Sequence, residues 1–298
     1  MIKKNLIKNF IFSIHKAIGK KKVYLHEPIL KGNELNYVKK CLNKNIISSI
    51  GGAPYVSKFE KMMEEYTKSR YCVSTVNGTA ALHVAMLLSD IKKIDEVLIP
   101  AFNFVAVANV IKYIGASIIF IDIEEKTLGV DPLKLKEFLK YNTYQRNKKC
   151  INKKTGKVIK SLILLHTFGH PADIESIIKI TKDYNIILVE DAAEAIGSKY
   201  YGIHVGTFGK FGIISFNGNK TISTGAGGMI LTNSSELAKK AKHISSISKI
   251  SHPWEYNHDQ LGFNYRIPNI NAALGCAQLE KIEYFIKARS RQADQVTP

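Results

Sequence analysis

Seven short segments rich in apolar and β-branched residues punctuate the chain, at 72–76, 96–100, 117–123, 161–167, 186–190, 212–216 and 229–231. Between the earlier ones, stretches such as 80–88 and 174–184 repeat their apolar residues at the helical period. The middle of the chain therefore predicts an α/β fold with a largely parallel sheet. Upstream, "GNELNYVKKCL" and "VSKFEKMMEEYTKSR" predict two helices separated by the turn "SSIGGAP", and downstream the helical period returns at 236–243 and 270–286. Residues 141–160, "YNTYQRNKKCINKKTGKVIK", are polar and basic and predict a long exposed loop or hairpin between the third and fourth strands. In such a fold, ligands gather at the carboxyl ends of the strands.

The opening stretch, "MIKKNLIKNFIFSIHKAIGKKK", places Leu6, Phe10 and Ile14 on one helix face. Lys8 and Lys16 interrupt it well short of a membrane span, and no small-residue cleavage site follows. Residues 1–25 thus read as a basic docking helix, with peripheral membrane contact as the alternative. At the other end, "RSRQADQVTP" lacks the lysines and isoleucines that fill the rest of the chain and does not read as the close of a domain.

Composition narrows the picture modestly. The 298 residues, 45% hydrophobic, can supply a sizeable core. Cys41, Cys72, Cys150 and Cys276 form no CxxC pair and no metal spacing with the histidines, which favours a reducing cytoplasm. A net charge of +18 raises nucleic acid, an anionic membrane surface or phosphorylated substrates as partners. The excess is lysine spread along the chain, however, and no recognition motif accompanies it, so the reading is no nucleic acid and no integral membrane segment.

The single lysine of "SFNGNKTISTGAGGM" follows an apolar strand and precedes small residues. A P-loop is excluded, because Asn219 and Ile214 stand where it needs glycines. "VNGTAALHVAM" runs from a strand through Asn77, Gly78 and Thr79 into a helix, a place where free N–H groups hold an anion; a plain N-cap is the simpler reading of that stretch alone. "ILVEDAAEA" ends a strand with Glu190 and Asp191, one of which should point inward and need a cationic partner. His166 and His170 in "LHTFGHP" bracket a Gly and a Pro that forbid a helix, so a turn is expected there and no metal site. Taken in order, a phosphate cup, an aromatic strand end in "PAFNFVA", a strand-end Asp and a Ser five residues before Lys220 form the constellation that pyridoxal phosphate requires.

Six stretches, "NGTAALHVAM", "DEVLIPAFNFVAVANVI", "HTFGHPADIE", "ILVEDAAEAIGS", "SFNGNKTISTGAGGM" and "GFNYRIPNINAALGCAQLE", resemble the DegT/StrS-type sugar aminotransferases, across nearly all of residues 26–286. The resemblance implies a fold type I pyridoxal-phosphate transferase with a mixed, mostly parallel seven-stranded sheet flanked by helices. It implies Lys220 as the lysine carrying the cofactor, Asp191 as partner of the pyridine nitrogen, and Gly78, Thr79, Ala80 and Ser215 at the phosphate. Phe104 would stack on the ring, Glu194 would lie near its 3-hydroxyl side, and Asn264 with Arg266 would reach a neighbouring subunit's site in a homodimer.

"LHEPIL", "FNGNK" and "HPWEYNHDQLGFNYRIPN" are most similar to the LegC-type branch. That branch aminates C4 of a UDP-linked 4-keto-6-deoxy-N-acetylhexosamine, with glutamate as donor, for surface-glycan sugars such as legionaminic acid. Perosamine-type and pseudaminic-acid-pathway aminotransferases are the sister alternatives, and a basic binding protein or inactive remnant is the alternative from another class. The expected division is a helix at 1–25, a large cofactor-binding domain at 26–265, and at 266–298 the start of a truncated small domain. The loss of that small domain would leave apolar surface on 270–286 open.

Overall fold

The structure, a computed structural model, describes residues 2–19, 26–49 and 53–296. Helices α1 (Ile2–Ile18), α2 (Glu34–Asn43) and α3 (Pro54–Thr67) lead into β1 (Tyr71–Thr75), α4 (Gly78–Leu88), β2 (Glu96–Pro100), α5 (Val105–Ile114), β3 (Ser117–Ile121) and α6 (Pro132–Asn142). A hairpin of β4 (Thr143–Arg146) and β5 (Lys149–Asn152) precedes β6 (Ile159–Leu165), α7 (Ile174–Asp183) and β7 (Ile187–Asp191). The short pair β8 (Lys199–Tyr200) and β9 (Ile203–His204) is followed by β10 (Phe211–Ser215), β11 (Gly228–Thr232), α8 (Ser235–Ser245), α9 (Asn269–Leu279) and α10 (Ile282–Val296).

All seven segments picked out by their apolar pattern lie in one sheet, ordered β1-β11-β10-β7-β6-β2-β3. Parallel neighbours need a crossover, and the helices supply it. Residues 216–227 contain no helix, so β11 returns antiparallel beside β10 and fills the gap next to β1, to which it is also antiparallel. Side chains alternate strictly between two buried faces: Cys72, Leu98, Leu162, Leu188 and Ile214 face one core with α3, α7 and α9, whereas Val73, Val97, Ile163, Val189 and Ile213 face the other with α4, α5 and α8. Because both faces are covered, these strands read as continuous apolar runs rather than as alternating ones.

Three expectations change on meeting the structure. Residues 141–160 do form a hairpin, but an anchored one: Cys150 and Asn152 are buried, and the Asn152 side-chain amide donates to the Glu96 carboxylate at 2.9 Å. The stretch 270–286 is two helices, with the break at Glu280 and Lys281. The apolar face of α9 is covered, because α9 packs against α2 and α3 so closely that a Cβ on Gly275 would lie 2.7 Å from the Phe59 ring, while Tyr284 of α10 stays exposed. Asn269 secures this junction, accepting from the Tyr55 N–H and donating to the Ile46 carbonyl. Residues on both sides of the expected boundary at 265/266 consequently share one core. Part of the turn "SSIGGAP", residues 50–52, and residues 20–25 lie outside the described residues.

Candidate functional site

At the carboxyl end of β1 the chain turns sharply into α4. Asn77 is extended (φ −166°, ψ 169°), and its side chain caps the helix by accepting from the Ala80 N–H at 2.8 Å. Among the described residues no protein group accepts from the N–H groups of Gly78 and Thr79, so two donors point outward at the positive end of the helix. Ala80 is not such a donor: its N–H is occupied by the cap and its side chain is buried. Neighbouring strands press on this turn. A Cβ on Gly228 of β11 would lie 2.3 Å from the Asn77 carbonyl, and one on Gly78 would lie 3.1 Å from Cβ of Ser215 at the end of β10.

Three places along the sheet from β1, β7 ends in Glu190 and Asp191, and both are buried. Alternation along the strand had predicted one inward carboxylate with a cationic partner. Glu190 instead accepts from the backbone N–H groups of Gly206, Phe208 and Gly209 at 2.6–2.7 Å, and from His166 Nε2 at 3.1 Å. His166 Nδ1 accepts from the Ala172 N–H, which leaves Nε2 as the donor. Four donors satisfy this carboxylate without a dedicated lysine or arginine. Among the described residues the Asp191 carboxylate accepts only from the Ala193 N–H, at 3.1 Å. Burial pushes its carboxyl above the usual carboxylate range, and the Ala193 N–H, Lys220 and His166 pull it partly back.

Lys220 lies in the helix-free return between β10 and β11, on a turn closed by its own N–H to the Asn217 carbonyl. Its Nζ donates to Glu194 Oε1 at 2.9 Å. The two side chains, 16% and 39% exposed, face the same cavity, of about 660 Å³, as the Gly78 and Thr79 turn, Asp191 and Ser215. Phe102 and Phe168 meet edge to face at its mouth, and Phe168 holds a left-handed backbone (φ 52°) in a segment that the sequence marks only as a turn. Phe104, at the N-cap of α5, is on the cavity wall and largely exposed.

Of the residues singled out from the sequence, Gly78, Thr79, Phe104, Asp191, Glu194, Ser215 and Lys220 converge on this cavity. Ala80 and Asn264 do not line it; Asn264 is exposed on a segment bridged to Ser246. Asn77, weighed in the sequence as a helix cap, lines it too, as do Phe102, Asn103, Phe168, Asn217 and Asn219, to which sequence reasoning gave no site role. The two asparagines just ahead of Lys220 in "NGNK" were the available signal. His166 serves the buried Glu190, and among the described residues no cluster of His, Cys, Asp and Glu could hold a metal ion.

Comparison with known proteins places this cavity among relatives. A model of the DegT/DnrJ/EryC1/StrS aminotransferase family matches residues 28–297. The GDP-perosamine synthase of Escherichia coli O157:H7 is 39% identical over 274 residues, 92% of this chain and 70% of the relative. That of Vibrio cholerae is 37% identical over 265 residues, 89% of this chain and 67% of the relative. Among solved structures, the aminotransferase TlmJ of Streptoalloteichus hindustanus superposes with a TM-score of 0.81 at 28% identity, covering 92% of this chain and 70% of that one. The chain spans about two thirds of the length of the curated relatives it matches.

Proposed function

The chain belongs to the DegT/DnrJ/EryC1/StrS aminotransferase family, whose enzymes use pyridoxal phosphate, and from that premise we propose that it moves an amino group from glutamate to C4 of a nucleotide-linked 4-keto-6-deoxy sugar. The observation that carries this reading is the convergence on one cavity of a lysine amine, a buried carboxylate short of donors, and a helix-start turn with two free N–H groups. Each suits one part of the cofactor. The turn and Ser215 would hold its phosphate. Asp191 would hold the proton on its ring nitrogen, the cation that this buried carboxylate lacks. Lys220 would carry it covalently.

Bound pyridoxal phosphate supplies the aldehyde that takes up the amino group and the ring that spreads the charge left on carbon. The protein supplies proton traffic. With pyridoxal phosphate bound, Lys220 Nζ would be the group that holds and moves the proton at the donor's α-carbon. Glu194, 2.9 Å from that nitrogen, keeps the amine aimed into the cavity. The phenylalanines at the mouth limit the access of water to the reacting atoms.

A two-copy assembly with shared sites belongs to the same proposal. Arg266, whose buried Nε has no partner among the described residues, and exposed Asn264 are the groups that a second copy would meet.

Purified protein should acquire visible absorbance with pyridoxal phosphate, lose it on adding glutamate, and place labelled nitrogen from glutamate on UDP-4-keto-6-deoxy-GlcNAc. Lys220→Ala should abolish the lysine-dependent absorbance and lower turnover at least about 10²–10⁴-fold. A variant that keeps both sinks the assignment, and removal of a sugar hydroxyl without nitrogen transfer would mean dehydration instead. Likeness to two GDP-perosamine synthases favours a second substrate reading, a GDP-linked 4-keto-6-deoxyhexose, which the same assay separates from the first.

A further inference from the structure

Helix α1 lies ahead of residue 28, where the family match starts, and nothing in the cofactor site uses it. Leu6, Phe10 and Ile14 follow one another at i, i+4 and i+8, flanked by Ile7, Ile11 and Ile18, and all six are exposed. At 100° per residue they share an arc of about 140°, within which the position of Lys3 in the first turn also falls, with Lys8, His15 and Lys16 outside it. Phe12 is the exception, standing among the lysines. An isolated helix of 17 residues is marginal in water, so this face gains stability only when something covers it.

Charge decides what that cover is. The first 26 residues hold seven lysines, from Lys3 to Lys22, and no Asp or Glu. A second copy of the chain carries a net charge of +18 and repels such a segment. An anionic surface attracts it. Among the described residues no helix is long and apolar enough to cross a membrane, and at 1.5 Å per residue α1 is about 25 Å long with charge along one side. We propose that α1 is an interfacial anchor that lies in the plane of an anionic phospholipid bilayer, with the Leu6, Phe10 and Ile14 face among the acyl chains and the lysines at the headgroups.

The inference is independent of the aminotransferase reading and is tested without it. The full chain is mixed with vesicles of phosphatidylcholine alone, or of phosphatidylcholine and phosphatidylglycerol at about 7:3, and floated through a density gradient. Binding is expected to the anionic vesicles and to weaken as salt rises. Phe10→Ser should weaken it at least about tenfold, whereas Phe12→Ser should leave it within about twofold, because Phe12 is off the buried face. Lys8→Gln with Lys16→Gln should weaken it about thirty-fold. Equal weakening by the two serine variants, equal binding to both vesicle types, or no flotation overturns the proposal. So does a loss of self-association in vesicle-free buffer on Phe10→Ser, which would give the face to a second copy, or salt-sensitive binding of duplex DNA that the same lysine changes abolish while flotation persists unchanged.

Discussion

Asp191 is held where its charge is unwelcome unless a cation joins it. Its folded carboxyl lies above the ordinary value of 3.8, with burial as the main cause. The folded state therefore binds this proton more tightly than the unfolded chain does, and the stability associated with it is present at low pH and lost as pH rises from about 3.8 through the folded value. Asp191→Asn removes that loss. The cofactor-free variant should melt higher than the parent at pH 8, with the gap shrinking toward pH 5, while its turnover falls by orders of magnitude. Thermal melts at the two pH values check this, and a gap that widens toward low pH would contradict the sign. If Asp191 holds the ring nitrogen's proton as proposed, the order should reverse with pyridoxal phosphate bound, since only the parent offers that proton a carboxylate. Asp191 was legible in the sequence because it ends an apolar strand ahead of small residues. The satisfaction of Glu190 was not, since its donors come from a loop fifteen or more residues downstream whose fold no local pattern announces.

Two glycines separate the elements that build the site from those that support it. Gly228 lets β11 lie against the Asn77 carbonyl, so Gly228→Ala must push β11 off the turn that starts α4. Gly275 lets α9 lie on Phe59, remote from the cavity. Both substitutions should cost about 1–3 kcal/mol in overpacking, read from denaturant titrations. Only Gly228→Ala should also weaken retention of pyridoxal phosphate at matched stability; equal losses from both would show that the turn tolerates movement. The strands were readable because a sheet covered on both faces needs unbroken apolar runs. The break between α9 and α10 was not, because Glu280 keeps helical dihedral angles as C-cap and no Gly or Pro stands at the break to mark it. The anchoring of β5 was hidden for a related reason. It rests on the burial of Cys150 in the core and on the contact between Asn152 and Glu96, 56 residues apart.

Across the whole molecule, all four cysteines are buried as free thiols, and burial raises each of them, Cys276 to about 12. They sit in α2, β1, β5 and α9, so together they sample the molecule from end to end. Folded protein at pH 8 should resist alkylation by iodoacetamide and should label at all four positions within one transition as denaturant rises, followed by mass spectrometry. Early labelling of Cys150 alone would mark the β4–β5 hairpin as a separately opening unit. The antiparallel return of β11 has a consequence for how the protein is made. The only ladder that β1 joins is with β11, more than 150 residues later, and the same strand backs the turn at Asn77. On a ribosome adding about 5–20 residues per second, β1 would emerge roughly 10–30 s before its partner exists. Until then its edge stands open to chaperones and to other nascent chains. The turn at Asn77 therefore gains its backing late, once residue 232 has cleared the exit tunnel.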